Sequence, residues 1–199
     1  MTKQNKKREA PKLFGPREDW QHNACINYAQ DSWDLYAMGY KEAGNILVEN
    51  IKVTQSHQDM LVYPIIYLYR QYLELRLKII LRDSRILLDE NVDIQMTHNL
   101  NDLWGDTRKL IRIIFKGDDI TPLNVVGKII IEFNSMDPES MAFRYPVDKN
   151  GENLLPDIKH INIVQFQERF SEVVDLMEGV TGAVAEYISY KAEMNQNYY

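Results

Sequence analysis

Hydrophobic residues recur along most of this chain with the 3.6-residue period of an α-helix, not the two-residue period of a strand. Ala29, Trp33, Tyr36, Ala37, Tyr40, Ala43, Gly44, Leu47 and Ile51 keep that spacing and predict a first helix from about Asn23 to Ile51. A second is expected from about Met60 to Arg82. Its apolar residues spread around most of the circumference, so it belongs at the centre of a bundle or in a subunit interface. Pro64 fits such a helix if it lies in the first turn, where its missing N–H has no intrahelical partner.

Thr97 reads as the N-cap of a third helix, with Leu100, Leu103, Trp104, Leu110, Ile111 and Ile114 on one face and Gly117 as its stop. A fourth begins at Thr121, with Pro122 in the first helical position and Val125, Val126, Ile129, Ile130 and Phe133 turned inward. The run "IIIEF" is also compatible with a strand, but no partner strand is identifiable. Residues 135–160 hold Pro138, Pro146, Gly151 and Pro156 and form a long irregular loop, a length often associated with function. A last helix is expected from about Asn162 to Met194, with Phe166, Phe170, Val173, Val174, Met177, Val180, Val184, Tyr187 and Ile188 as its core stripe. The whole predicts an all-α bundle of four or five helices over residues 20–199.

Charge changes this picture at the start of the chain. The formal net charge is −6, yet residues 1–17 carry Lys3, Lys6, Lys7, Arg8, Lys12 and Arg17 against Glu9 alone. Residues 1–19 therefore read as a flexible basic arm, either a solvated tail or a contact for a nucleic-acid backbone. Cys25 is the single cysteine, which excludes an intramolecular disulfide and fits a reducing, cytoplasmic compartment. No apolar run reaches membrane-span length, and no apolar segment follows the basic start as in a secretory signal. No Gly-rich phosphate loop, zinc helix or nucleophile elbow is present, and neither a metal nor a cofactor is expected.

Three constellations carry candidate chemistry. In "YLYRQYLELRLKII", Arg70, Glu74 and Lys78 recur every four residues. With Gln71 and Arg82 they fall within about a 120° stripe of a helix that is otherwise apolar. Such a stripe is either a surface ion ladder or the lining of a cleft, since an unpaired buried charge is costly. In "MTHNLNDLW", His98 and Asn99 sit at a helix start. There they serve as local caps, or His98 is a neutral imidazole poised as acceptor or base. In "AFRYPVDKNG", Phe143 and Tyr145 are expected to anchor the loop by burying their rings, while Arg144 points the other way. Pro146 stiffens this segment and "DKNG" reads as a turn. Arg144 is then available to clamp a phosphate or carboxylate, or to pair with Glu74.

In "LYRQYLELRLK", "THNLNDLW" and "AFRYPVD", in that order, the chain resembles bacterial members of the HEPN superfamily over roughly residues 25–190. The resemblance implies a helical bundle, commonly a homodimer. It also implies nucleotide, RNA or partner binding or metal-independent ribonuclease activity, in toxin–antitoxin or phage-defence systems with a cognate antitoxin-type protein. Nuclease members carry Arg and His separated by four to six residues at the dimer interface. Here only Arg17 and His22 match that spacing, and they lie in the entry arm. The preferred expectation is a binding protein whose groove is lined by Arg70, Glu74, Lys78, His98, Asn99 and Arg144. The alternative is a ribonuclease with a rearranged site, in which His98 is the base and Arg144 or Arg70 stabilises the phosphorane.

Overall fold

The computed structural model describes residues 12–28, 31–93 and 97–196. Five α-helices are present among the described residues: α1 (Trp33–Thr54), α2 (Gln58–Leu87), α3 (Leu100–Ile114), α4 (Thr121–Met136) and α5 (Ile163–Gln196). Among the described residues there is no strand, only an isolated antiparallel bridge between Val147 and Asn153. The chain is thus an all-α bundle, and "IIIEF" belongs to α4.

The central element is α2. It packs against α1, α3 and α5, while α4 closes the bundle against α3 and α5. Ile65, Ile66, Tyr69, Tyr72, Leu73, Leu77 and Ile80 are buried on its several sides. Most of its apolar circumference is thus covered within one chain, while Met60, Tyr63 and Ile86 toward its two ends are exposed. Tyr69, Tyr72, Phe133, Phe166 and Phe170 form an aromatic cluster joining α2, α4 and α5, with ring centroids 5.0–6.3 Å apart. Where α3 crosses α4, a Cβ on Gly127 would stand 2.9 Å from the indole nitrogen of Trp104, so the close approach requires glycine.

Several boundaries differ from expectation for local reasons. The first helix starts at Trp33, not near Asn23. The Asn23 side chain instead closes onto Arg17, donating to its carbonyl at 2.8 Å and accepting from its N–H at 3.0 Å. Among the described residues, those before Trp33, which include a short 3-10 turn at Trp20–His22, form one compact unit, and those from Trp33 onward form another. The expected division lay at residue 20. Residues 1–11 of the expected basic arm and Ala29 lie outside the described residues.

Pro64 is not in the first turn of α2 but is its seventh residue. Pro64 and Met60, whose carbonyl it leaves without an amide partner, are both exposed residues, which makes the lost bond tolerable. Asn99, not Thr97, is the N-cap of α3. Its amide oxygen accepts from the N–H groups of Asn101 (2.9 Å) and Asp102 (3.2 Å). Ahead of α4, Asp119 accepts from the Thr121 N–H at 2.8 Å, so Thr121 is the first helical residue and Pro122 the second.

Candidate functional site

Three elements converge on one face of α2: the segment leading into α3, the end of α4, and the loop that follows it. Arg70, Glu74 and Lys78 are 0 %, 3 % and 3 % exposed. The stripe is thus neither a solvated ladder nor a groove lining but a buried ionic network.

Arg70 spends its whole guanidinium inside the protein. Nη1 donates to Glu74 Oε2 at 3.1 Å, and Nη2 donates to the backbone carbonyl of His98 at 2.8 Å. Nε donates to the backbone carbonyl of Asp137 at 3.3 Å and lies 3.3 Å from the same residue's carboxylate. A guanidinium with these partners and no exposure cannot also clamp a ligand phosphate. It is a strut between α2, the approach to α3 and the end of α4.

Glu74 is the hub. Its Oε1 accepts from Lys78 Nζ at 2.8 Å and from His98 Nδ1 at 2.9 Å. Burial pushes the Glu74 carboxyl up. Hydrogen bonding and charge from Lys78, and then from His98, outweigh that burial and hold it below the usual carboxylate range. An ionised carboxylate only accepts, so His98 Nδ1 carries a proton and Nε2 is the acceptor in the neutral ring. The His98 side chain is 66 % exposed. A buried carboxylate therefore fixes the orientation of a largely exposed imidazole, the relation that orients a general base.

Asp137 and Asn134 complete the frame. Asp137 Oδ1 accepts from the N–H groups of Met141 (2.6 Å) and Ala142 (2.9 Å) and so bends the chain as it leaves α4. Asn134 accepts from the Leu100 N–H at 3.0 Å, holding the first turn of α3 against α4. Gln71 donates to Ser140 Oγ at 3.2 Å, one turn along the stripe.

Arg144 does not pair with Glu74. The bend at Asp137 carries residue 144 toward the start of α2, and the guanidinium lies over the rings of Tyr67 (5.7 Å) and Tyr145 (5.1 Å). Phe143 anchors this loop, but Tyr145 does not, being 46 % exposed. The Asp148–Gly151 turn forms as expected, with Asp148 accepting from the N–H groups of Asn150 (2.8 Å) and Glu152 (2.9 Å). Of the six residues expected to line a groove, Arg70, Glu74, Lys78 and His98 are brought together. Asn99 is adjacent but engaged in capping, and Arg144 lies further along α2.

Tyr67 and Tyr40 are functional candidates that the sequence reading passed over. Burial pushes the Tyr40 hydroxyl up, and the like charges of Tyr67, Tyr36 and Glu74 push it further. Tyr40 is thus within electrostatic reach of both Tyr67 and Glu74, and Tyr67 is in contact with Arg144. The available signal was positional: Tyr67, Gln71, Glu74 and Lys78 continue one line along the helix at i, i+4, i+7 and i+11. No protein-family model, curated protein or solved structure matches this chain. Among the described residues no cluster of three or more metal-ligating side chains occurs, and no helix is long and apolar enough to cross a membrane.

Proposed function

We propose that this chain is a HEPN-like helical protein that binds single-stranded RNA or a nucleotide across the face carrying His98, Tyr67 and Arg144. The observation that carries this reading is the Arg144 guanidinium, which lies over two tyrosine rings and pairs with no carboxylate among the described residues. Its charge is available to phosphate, and the rings beside it offer faces to bases. Aromatic stacking contributes roughly 1–3 kcal/mol per base in single-strand binding and tolerates any sequence. Tyr36, 62 % exposed, extends the aromatic surface on α1.

The test is fluorescence anisotropy of a short labelled single-stranded RNA with the full chain. Arg144→Ala is expected to weaken binding about tenfold, the equivalent of about 1.4 kcal/mol, and added salt to weaken it further. Equal affinity of wild type and variant overturns the reading.

A second reading, metal-independent RNA cleavage, rests on the Glu74–His98 pair. In it His98 Nε2 takes the proton of a ribose 2′-hydroxyl. The 2′-oxygen bonds to the adjacent phosphorus and the P–O5′ bond breaks, the leaving oxygen taking a proton from water. Cleavage that persists in a chelator and is lost in His98→Ala supports this reading, and RNA left intact by wild type sinks it. A homodimer belongs to the same proposal. Leu35, Met38, Ile46 and Val53 are exposed on α1 within about an 80° arc, an apolar stripe suited to a second copy. Sedimentation of a monomer only at micromolar concentration removes that part.

A further inference from the structure

A cleft of about 830 Å3 opens between the first turns of α2 and the loop that carries Arg144. Tyr63, Phe143, Arg144, Tyr145, Lys159 and His160 are among its walls. The volume falls within the roughly 300–1,000 Å3 typical of small-molecule sites. Its chemistry is unusual for a chain of net charge −6. Two full cations share one cavity with three aromatic rings, and neither Arg144 nor Lys159 forms an ion pair with a carboxylate among the described residues. Asp59 lies in the same lining. It occupies the first turn of α2 and offsets that helix end, so the attraction for an anion comes from the loop side chains.

We infer that this cleft is a subsite for one nucleoside phosphate, with the base against the tyrosine and phenylalanine rings and the phosphate on Lys159 and Arg144. The inference rests on the reading of Arg144 as phosphate-facing and adds a pocket that is distinct from the His98 pair. Asp59 gives the site a preference. A carboxylate repels bare phosphate but accepts a hydrogen bond from a ribose hydroxyl or a base amino group, so a nucleotide is favoured over inorganic phosphate. Two sources share this chemistry, a free nucleotide and the terminal nucleotide of an RNA strand.

Calorimetric titration of the full chain with AMP, with inorganic phosphate and with a short 5′-phosphorylated oligoribonucleotide separates them. AMP is expected to bind at least tenfold more tightly than phosphate. Lys159→Glu and Tyr63→Ala are each expected to weaken it about tenfold. Lys159 is exposed, so its variant keeps the fold, and unchanged melting verifies this. If a strand is the ligand, the oligonucleotide binds more tightly than AMP and loses affinity in the same two variants. Equal binding of AMP and oligonucleotide to wild type and to both variants overturns the inference, as does failure of wild type to bind either at millimolar concentration. AMP binding that persists while internal RNA binding is absent leaves this subsite standing and removes the wider RNA face.

Discussion

Replacing Glu74 with glutamine removes one negative charge from the middle of the α2 network while keeping the length of the side chain. The buried charges balance: Arg70 and Lys78 against Glu74 and Asp137. Glu74→Gln leaves two buried cations facing one carboxylate and weakens three hydrogen bonds, from Arg70 (3.1 Å), Lys78 (2.8 Å) and His98 (2.9 Å). Breaking a buried pair by removing one partner costs roughly 3–5 kcal/mol. For a chain of this size each kcal/mol shifts Tm by roughly 2–4 °C, so a fall of roughly 6–20 °C is expected. Urea unfolding followed by far-UV circular dichroism gives the free energy directly.

The pH dependence supplies an independent check. Glu74 is held below its ordinary range in the folded chain. Its contribution is therefore present above the unfolded value of about 4.3 and is lost as pH falls through the lower folded value. The gap between wild type and Glu74→Gln is fully present above the unfolded value and narrows as pH falls through the lower folded value, where the wild-type carboxyl is protonated as well. A loss under about 1 kcal/mol at neutral pH, the value of an exposed pair, refutes the buried network. So does a gap that does not narrow in acid.

Arg144→Met is expected to cost under about 1 kcal/mol, because its stacking is at the surface. Combined with Glu74→Gln it adds to within about 0.5 kcal/mol, and a stronger coupling in that double-mutant cycle places the loop elsewhere. Asn99→Ala removes the two capping bonds at the start of α3 and is expected to cost about 1 kcal/mol, with faster amide exchange at Asn101 and Asp102 as the local readout. Gly127→Ala drives a methyl group against the Trp104 indole, for a loss of roughly 1–3 kcal/mol in denaturant unfolding. Unchanged stability means that α3 and α4 sit further apart.

The period of the apolar residues was enough to read the chain as helical and to pick most inward faces, because both follow from local geometry repeated every 3.6 residues. Leu103, Trp104 and Ile111 on α3 and Phe170, Val173 and Met177 on α5 are buried as their spacing requires. Tyr36 and Tyr187 fit the same periodicity yet are 62 % and 45 % exposed, because a stripe does not say how far its neighbours extend to cover it. Helix ends were less legible. Asn23 and Thr97 are both good cap residues by type. Asn23 instead closes onto Arg17, and Asn99 takes the capping position ahead of α3.

The ionic stripe on α2 was visible in the sequence, since opposite charges four residues apart share one helix face. Its partners were not. Glu74 attracts any cation or N–H donor that reaches it, and by charge Arg144 was the expected partner. The choice fell to the path of the chain after α4. Asp137 binds the Met141 and Ala142 amides, Ser140 adopts φ +60°, and the loop is carried away from Glu74 toward Tyr67. The segment before α3 brings His98 to Glu74 from 24 residues away, and Asp137 meets Arg70 across 67. Local periodicity sets which side of a helix is charged. Which charges meet there depends on how distant elements close over it, and only the packed bundle decides that.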